Sequence, residues 1–446
     1  MSLTVARWVF QSNQARSLEE NERWWRECYL PTGADAVIQS QPHWRIIVGG
    51  TGCGKSIALV ALERQACEHA LILRYTPEYW PHGKKVLKKD GNHLSQLMAL
   101  AGFTIRHTPA ITLDRIIALP RFQREFLRWL MDKFGGPRTY IRWVQSLGAS
   151  DDDSRVIVPF EDLYATETEF LDGQGQIEDL IALIRQWGYT QVLVLIDTSN
   201  LTGEQLNELS DLGSLFDWLE LMHHDGLAIV TTVIPEVLEQ GDLVRRARGR
   251  VSVTKLHWTQ EQVHTLANRH IIAATNQQIS SLEHLTNPNL VQQLEAMIEA
   301  EHGMPAPQGW VALAELLLDF ALQSGVPLKA TFDDIRLAYF ARFMQLRLDK
   351  TSSHRGVWRG PKFIALDEQP LHLIEALVQK RGMPVSSEDL GRVIGMSKGK
   401  SKLANLHTLA RRVREAIEPD PAKPIYLRNK RDEGYWLENL ARDPSV

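Results

Sequence analysis

Eight residues constrain this chain more than any others: Gly49, Gly50, Thr51, Gly52, Cys53, Gly54, Lys55 and Ser56. They follow the apolar run Ile46-Ile47-Val48 and open the helix-forming stretch from Ser56 to Ala66. A buried strand, a glycine-rich turn and a helix in that order build a phosphate-binding loop. Gly49, Gly52 and Gly54 allow positive φ, so several backbone N–H groups converge on one point, and the positive end of the helix dipole aims there too. That point suits the β-phosphate of a nucleotide. Lys55, read as an exposed loop lysine, reaches the β- and γ-phosphates, and the Ser56 hydroxyl ligates Mg²⁺. ATP and Mg²⁺ are therefore the expected cofactors.

The chain has 446 residues, too many for one ordinary core, and two or three domains are expected. Its 44% hydrophobic and 23% charged content is that of a soluble globular protein. Neither a membrane span nor a signal peptide is readable, which predicts a cytoplasmic protein with no membrane partner. The three cysteines, Cys28, Cys53 and Cys67, fit neither a metal knuckle nor a disulfide framework. Cys53, inside the loop, is open to two readings: a thiol activated by helix-start amides, or a small tolerated side chain. The net charge of −4 hides an asymmetry. Residues 84–142 carry 12 basic against 4 acidic side chains, and residues 355–446 carry 17 against 12. Two basic regions in an acidic body point toward nucleic acid.

After the loop, strand-like runs alternate with helix-like ones. Strands are expected at 70–75, 191–197, 226–235 and 250–256, implying a parallel sheet covered on both faces. Asp197 ends the fully apolar run Val192–Ile196 and so takes the Walker B position, where a carboxylate holds the Mg²⁺ water shell. Thr198, Ser199 and Asn200 follow it, with no carboxylate before Glu204 to polarise an attacking water. Slow hydrolysis follows, with bound ATP acting as a switch.

These pieces resemble the AAA+ and STAND classes of P-loop ATPase, including NACHT-like bacterial members. The resemblance rests on the octet, on Val192–Asp197, on the strand Ala228–Thr232 in the sensor-1 position, and on the arginine cluster Val244–Arg250. It implies a catalytic arginine reaching a neighbouring subunit's γ-phosphate, a place taken here by Arg245, Arg246 and Arg248 and assigned to Arg246. It also implies homo-oligomerisation on ATP binding and a helical lid. A solvated basic helix end is the other reading of that cluster. Pro307-Gln308-Gly309 stands where the lid's sensor arginine is expected.

From about Trp358 to 438 the chain resembles the winged helix of OmpR/PhoB-type response regulators. The features are an arginine-rich third helix, the turn Glu418-Pro-Asp-Pro421, and a closing strand pair with Gly434-Tyr435 at the wing. Ser386-Ser387 with Asp389 reads as a helix start, and Leu403, Leu406, Ala410, Val413 and Ile417 as a buried stripe. That leaves His407, Arg411, Arg412 and Arg414 outward, with Lys398, Lys400 and Lys402 before them and Arg428, Lys430 and Arg431 in the wing. The candidate DNA-contacting set is Lys402, His407, Arg411, Arg412, Arg414, Arg428, Lys430 and Arg431, directed at duplex DNA. Docking of a protein partner is the alternative use of this module.

The basic insert, 84–142, places Arg121, Arg124 and Arg128 on one helical face with Phe122, Phe126, Leu130 and Met131 opposite or beside it. It reads either as a second nucleic-acid surface, with Lys84, Lys85, Lys88 and Lys89, or as a solvated docking helix. The expected organisation is an N-terminal segment (1–40), a P-loop ATPase core (41–256), a helical lid and linker (257–350) and a winged helix (355–440). The expected function is an ATP-controlled DNA-binding switch or transcription regulator. The alternatives are a DNA-remodelling ATPase subunit in transposition, replication initiation or phage defence, and a nucleotide-gated scaffold.

Overall fold

Strand order fixes the fold class. A computed structural model describes residues 3–12, 16–34, 44–80, 92–150, 173–198, 224–235, 238, 251–302, 305–349, 355–394 and 401–441. Two compact units divide them. The first comprises 32–50 and 54–256, and the second 1–31, 51–53 and 257–446.

The first unit is built on five parallel strands: β1 (Trp44–Val48), β2 (Ala70–Arg74), β3 (Gln191–Asp197), β4 (Leu227–Val233) and β5 (Val251–Lys255). Their order is β2-β3-β4-β1-β5. Parallel strands need crossovers, which here include α2 (Lys55–Ala66) and α7 (Gly173–Gln186). Helices on the faces leave the central strands little solvated surface: all of β1 is buried, Arg45 included, as is the apolar run Val192–Ile196 of β3. Each such Ile, Leu or Val adds about 1.5–3 kcal/mol relative to exposure. A charge at Ile46, which is fully buried, would reverse that gain. The strands fall where the sequence places them. With its glycine-rich loop after β1, this is a P-loop NTPase sheet.

Between β2 and α7 the described residues of the first unit include the α-helices α3 (His93–His107), α4 (Leu113–Ile117), α5 (Arg121–Gly135) and α6 (Thr139–Ser146). Phe126, Leu127, Leu130 and Met131 of α5 are buried in one cluster with Met98 and Ala101 of α3 and with Ile46 and Val48 of β1. The insert is thus part of the same core. Phe122, expected beside that stripe, is about half exposed.

The second unit begins with α1 (Leu18–Glu27), closed at its start by a Ser17–Glu20 capping box. It continues with α8 (Gln260–Ala274), α9 (Leu282–Leu285), α10 (Pro288–His302), α11 (Pro307–Ser324) and α12 (Phe332–Phe343). The N-terminal segment joins these helices. Ala6 N donates to Ala274 O, Arg269 donates to Tyr29 O at 2.6 Å, and the Trp24 ring meets His270 edge-on.

A winged helix follows in the same unit. Strands β6 (Leu346–Asp349), β7 (Gly356–Arg359) and β8 (Lys362–Ala365) form an antiparallel sheet. Helices α13 (Glu368–Val378), α14 (Ser387–Val393) and α15 (Ser401–Ile417) precede the hairpin of β9 (Leu427–Lys430) and β10 (Gly434–Leu437). Ser386 Oγ accepts from Asp389 N, capping α14. Leu406, Leu409, Ala410, Val413 and Ile417 bury one face of α15, while the Leu403 side chain lies outside the described residues. Gly434 has φ +104°, and a Cβ there would stand 2.0 Å from Val385 O. Only glycine lets the wing lie that close to the body of the module.

Candidate functional site

The phosphate loop takes the conformation its glycines permit. Gly52 and Gly54 have φ of +77° and +93°, in the left-handed region. Gly49, expected to share that conformation, does not. It continues β1, buried, with its N–H donating to Val233 O at 3.2 Å. Gly54 is the N-cap of α2 and offers no side chain to the first-turn amides, leaving them to an anion. Lys55 is only 4% exposed, not the exposed lysine the sequence suggests. Its Nζ donates to Gly49 O and Gly50 O, both at 2.8 Å, which folds the side chain back over the loop. Ser56 is exposed on the first turn, as is Thr51 in the loop, whereas Cys53 is buried.

Asp197 ends β3, and the sheet register explains its surroundings. Thr232 on β4 pairs with Asp197 on one side and with Ile47, two residues before the loop, on the other. Thr232 Oγ1 donates to Asp197 Oδ1 at 2.9 Å and accepts from Thr198 N at 3.2 Å, while Thr198 Oγ1 donates to Thr232 O. Thr198 and Thr232 are buried. The side chain after Asp197 is therefore a hydroxyl turned inward to the next strand. The strand Ala228–Thr232 is readable in the sequence, but the Thr198–Thr232 pair is not. Two adjacent threonines, Thr231 and Thr232, in an otherwise apolar strand were the available signal.

The loop tip, Thr51–Cys53, belongs to the second unit. Trp258 Nε1 donates to Cys53 O at 2.8 Å, and Gln308 N donates to Gly52 O at 3.2 Å. A Cβ on Gly52 would meet Gln308 Oε1 at 2.6 Å, so the carboxamide covers that glycine. The Pro307-Gln308-Gly309 segment, singled out for its missing arginine, thus forms the first turn of α11 against the loop tip.

These residues suit a Mg²⁺-nucleotide. They offer uncapped helix-start amides, two left-handed glycines, one ammonium, one hydroxyl and one strand-end carboxylate held by a hydroxyl. No cluster of three or more His, Cys, Asp or Glu able to hold a metal occurs among the described residues. Arg245, Arg246, Arg248 and Glu204 lie outside the described residues.

On the winged helix the basic residues divide by what they touch. Arg414 donates to Leu427 O at 3.0 Å and to Asn429 Oδ1 at 2.7 Å, tying α15 to β9 rather than projecting freely. His407 Nδ1 lies 2.6 Å from the Tyr435 hydroxyl. Arg411 pairs with Glu415 at 2.8 Å, Arg428 with Glu438 at 3.1 Å, and Lys430 with Glu433. Among the described residues Arg412 and Arg431 are exposed and have no ion-pair or hydrogen-bond partner. The Lys402 side chain lies outside the described residues, as do Lys398 and Lys400.

The basic insert is partly neutralised within itself. Arg121 pairs with Glu125 at 2.8 Å, and Arg128 with Asp132 at 3.7 Å. Lys84, Lys85, Lys88 and Lys89 are outside the described residues. Trp24, Trp80 and Trp143 are buried and serve as core. No helix among the described residues is long and apolar enough to cross a membrane.

No family model matches the chain, and no curated protein does. Among solved structures it is similar to the Orc1 protein of Aeropyrum pernix in complex with DNA, with a TM-score of 0.39 at 11% identity over 98% of this chain and 94% of that one. Cdc6p from Pyrobaculum aerophilum gives 0.33 at 11% identity over 98% and 95%. A Walker-type ATPase of Pyrococcus abyssi gives 0.33 at 13% identity over 90% and 89%. At such scores the fold assignment rests on the strand order and loop geometry themselves.

Proposed function

We propose that this chain is an ATP-binding switch of the AAA+ kind that hydrolyses ATP slowly and binds duplex DNA through its C-terminal winged helix. The observation carrying this reading is the pair of chemistries in one chain: a loop shaped for phosphates and a helix-and-wing surface bearing Arg412 and Arg431, exposed cations without a partner among the described residues. The loop amides and Lys55 hold the phosphates, Ser56 and Asp197 hold the metal, and Thr232 fixes Asp197. The bound Mg²⁺-nucleotide supplies the phosphoanhydride and the charge that polarises it. The side chain beside Asp197 is Thr198, whose hydroxyl is engaged with Thr232 O and is no base for water. Turnover is accordingly below about 10 s⁻¹. Arg246 as an inter-subunit γ-phosphate contact, assembly on ATP binding, the STAND affiliation and a cytoplasmic location belong to the same proposal.

The test measures DNA affinity and particle size of the full chain without nucleotide, with ADP and with a non-hydrolysable ATP analogue. Tight ATP binding with DNA affinity that depends on nucleotide supports the switch. Fast hydrolysis without DNA identifies a motor instead. ATP binding with no DNA affinity even at low salt assigns the winged helix to a protein partner.

A further inference from the structure

Arg359 and Glu301 form an ion pair that is almost fully buried, at 4% and 7% exposure. Arg359 Nη2 lies 2.6 Å from Glu301 Oε2, joining β7 of the winged helix to the end of α10. The other guanidinium nitrogen, Nη1, donates to Ile417 O at 2.7 Å, the last carbonyl of α15. One side chain therefore ties the helix that carries Arg412 to a carboxylate of the preceding helical region. The next residue on α10, His302, places Nε2 3.2 Å from the Tyr339 hydroxyl. It also packs on Gly309, where a Cβ would stand 3.0 Å from the same nitrogen. Gly309 and Gln308 form the first turn of α11, which meets Gly52 of the phosphate loop. Every link, from Gly52 through Gln308, Gly309, His302, Glu301 and Arg359 to Ile417, lies within the second unit.

The module has further attachments to α12 and the residue after it. Tyr426 Oη donates to Met344 O, and Lys423 pairs with Asp333 at 2.6 Å. Neither reaches α10. A buried ion pair is poor at adding net stability, because desolvation of both charges offsets their attraction, whereas removing one partner leaves an uncompensated charge. Such a pair is suited to setting register between two packed elements.

Resting on the functional reading above, we propose that the Glu301–Arg359 pair is the coupling element through which nucleotide at the phosphate loop controls the DNA-binding helix. Nucleotide that alters the loop tip shifts the first turn of α11 through Gly52 and Gln308. The tight Gly309–His302 contact passes that shift to the end of α10. Glu301 then re-registers Arg359 and, with it, the carboxyl end of α15. Coupling of this kind is reciprocal, so DNA alters nucleotide affinity by the same factor.

The test uses the full chain and the variants Glu301→Gln, Arg359→Met and Gln308→Ala. DNA affinity is measured with and without a non-hydrolysable ATP analogue, and ATP affinity with and without DNA. In the parent the two ratios agree and differ from one by roughly fivefold or more. In Glu301→Gln and Arg359→Met both ratios fall to near one, while ATP still binds. Gln308 is exposed, so Gln308→Ala keeps the fold; it strips the carboxamide from Gly52 but leaves the Gln308 N–H on Gly52 O, and so lowers both ratios toward one even where a buried-charge variant does not fold. Variants that retain the parent's ratio overturn the proposal, as does a parent that binds both ligands independently. Should the parent bind ATP but no DNA, the functional reading fails by itself. The coupling is then judged by amide exchange at Arg414–Ile417 on adding the analogue. A change present in the parent and smaller in Gln308→Ala supports the relay; no change in the parent, or an equal change in the variant, overturns it.

Discussion

Thr232 Oγ1 donates to Asp197 Oδ1 at 2.9 Å, from the strand that lies between β3 and the loop-bearing β1. The same oxygen accepts from Thr198 N, so one hydroxyl fixes both the candidate metal-holding carboxylate and the backbone after it. Thr232→Val keeps the shape and removes both bonds. Leaving a buried N–H and a carboxylate oxygen without that partner costs about 1–3 kcal/mol of stability. Mg²⁺-dependent ATP affinity should fall while Mg²⁺-independent binding stays near the parent's. Titration with a fluorescent ATP analogue, with and without EDTA, checks the split. Equal losses in both conditions would remove Thr232 from the metal site.

Lys55→Ala should weaken ATP binding tenfold or more, about 1.4 kcal/mol, by removing the only ammonium in the octet. Because Lys55 is buried and bonded to Gly49 O and Gly50 O, the loop should also become looser than an exposed lysine would predict. Faster amide exchange across the loop, with an unchanged melt of the sheet, is the expected pattern. Unchanged ATP affinity would defeat the site assignment.

The sheet and the loop were legible because their signals are local. A buried parallel strand is predominantly apolar, and a left-handed turn favours glycine, so Ile46–Val48, Gly52, Gly54 and Val192–Asp197 announce themselves. What the sequence could not show are pairings made across long separations. The exposure of Lys55 depends on which carbonyls it finds. The commitment of Arg414 to Asn429 depends on the hairpin folding back beside α15. Pro307-Gln308-Gly309 read as a missing arginine, and only the packing shows Gln308 covering Gly52. The N-terminal segment carried no motif, and its place beside α8 comes from the Trp24–His270 contact and the Ala6 bond.

His270 makes the second unit sensitive to acid. Burial holds its imidazole at about 4, against the pull of the Leu266 carbonyl and with the Arg16 charge adding to the depression. Burial likewise holds His302 at about 4. The unfolded chain takes up these protons near pH 6.5, where the folded chain refuses them. Stability is thus fully present above about pH 6.5 and is lost as pH falls toward 4, at about 1.4 kcal/mol per pH unit for each histidine. His270→Phe retains a ring against Trp24 and removes one titrating group. Calorimetric melts across that range should show a shallower acid decline by one proton, with the His302 share remaining. An unchanged slope would mean that His270 is accessible to protons in the folded state.

The winged helix separates cations that hold the module together from cations free to meet phosphate. Arg414 bridges α15 to β9, so Arg414→Ala should lower the melting temperature of the module and reduce DNA binding only as the wing loosens. Arg412 and Arg431 have no partner among the described residues. The double variant Arg412→Ala with Arg431→Ala should leave the melt unchanged and weaken DNA binding across all sequences. Each lost phosphate contact releases fewer counterions, so the slope of log affinity against log salt should flatten by nearly one for each arginine. A loss confined to particular sequences would instead mark base reading by one of them. The measurement is DNA binding of the full chain at two or more salt concentrations, beside thermal melts of the parent and both variants. Should the double variant match the parent in affinity and salt slope, DNA does not lie against this face of α15 and the wing.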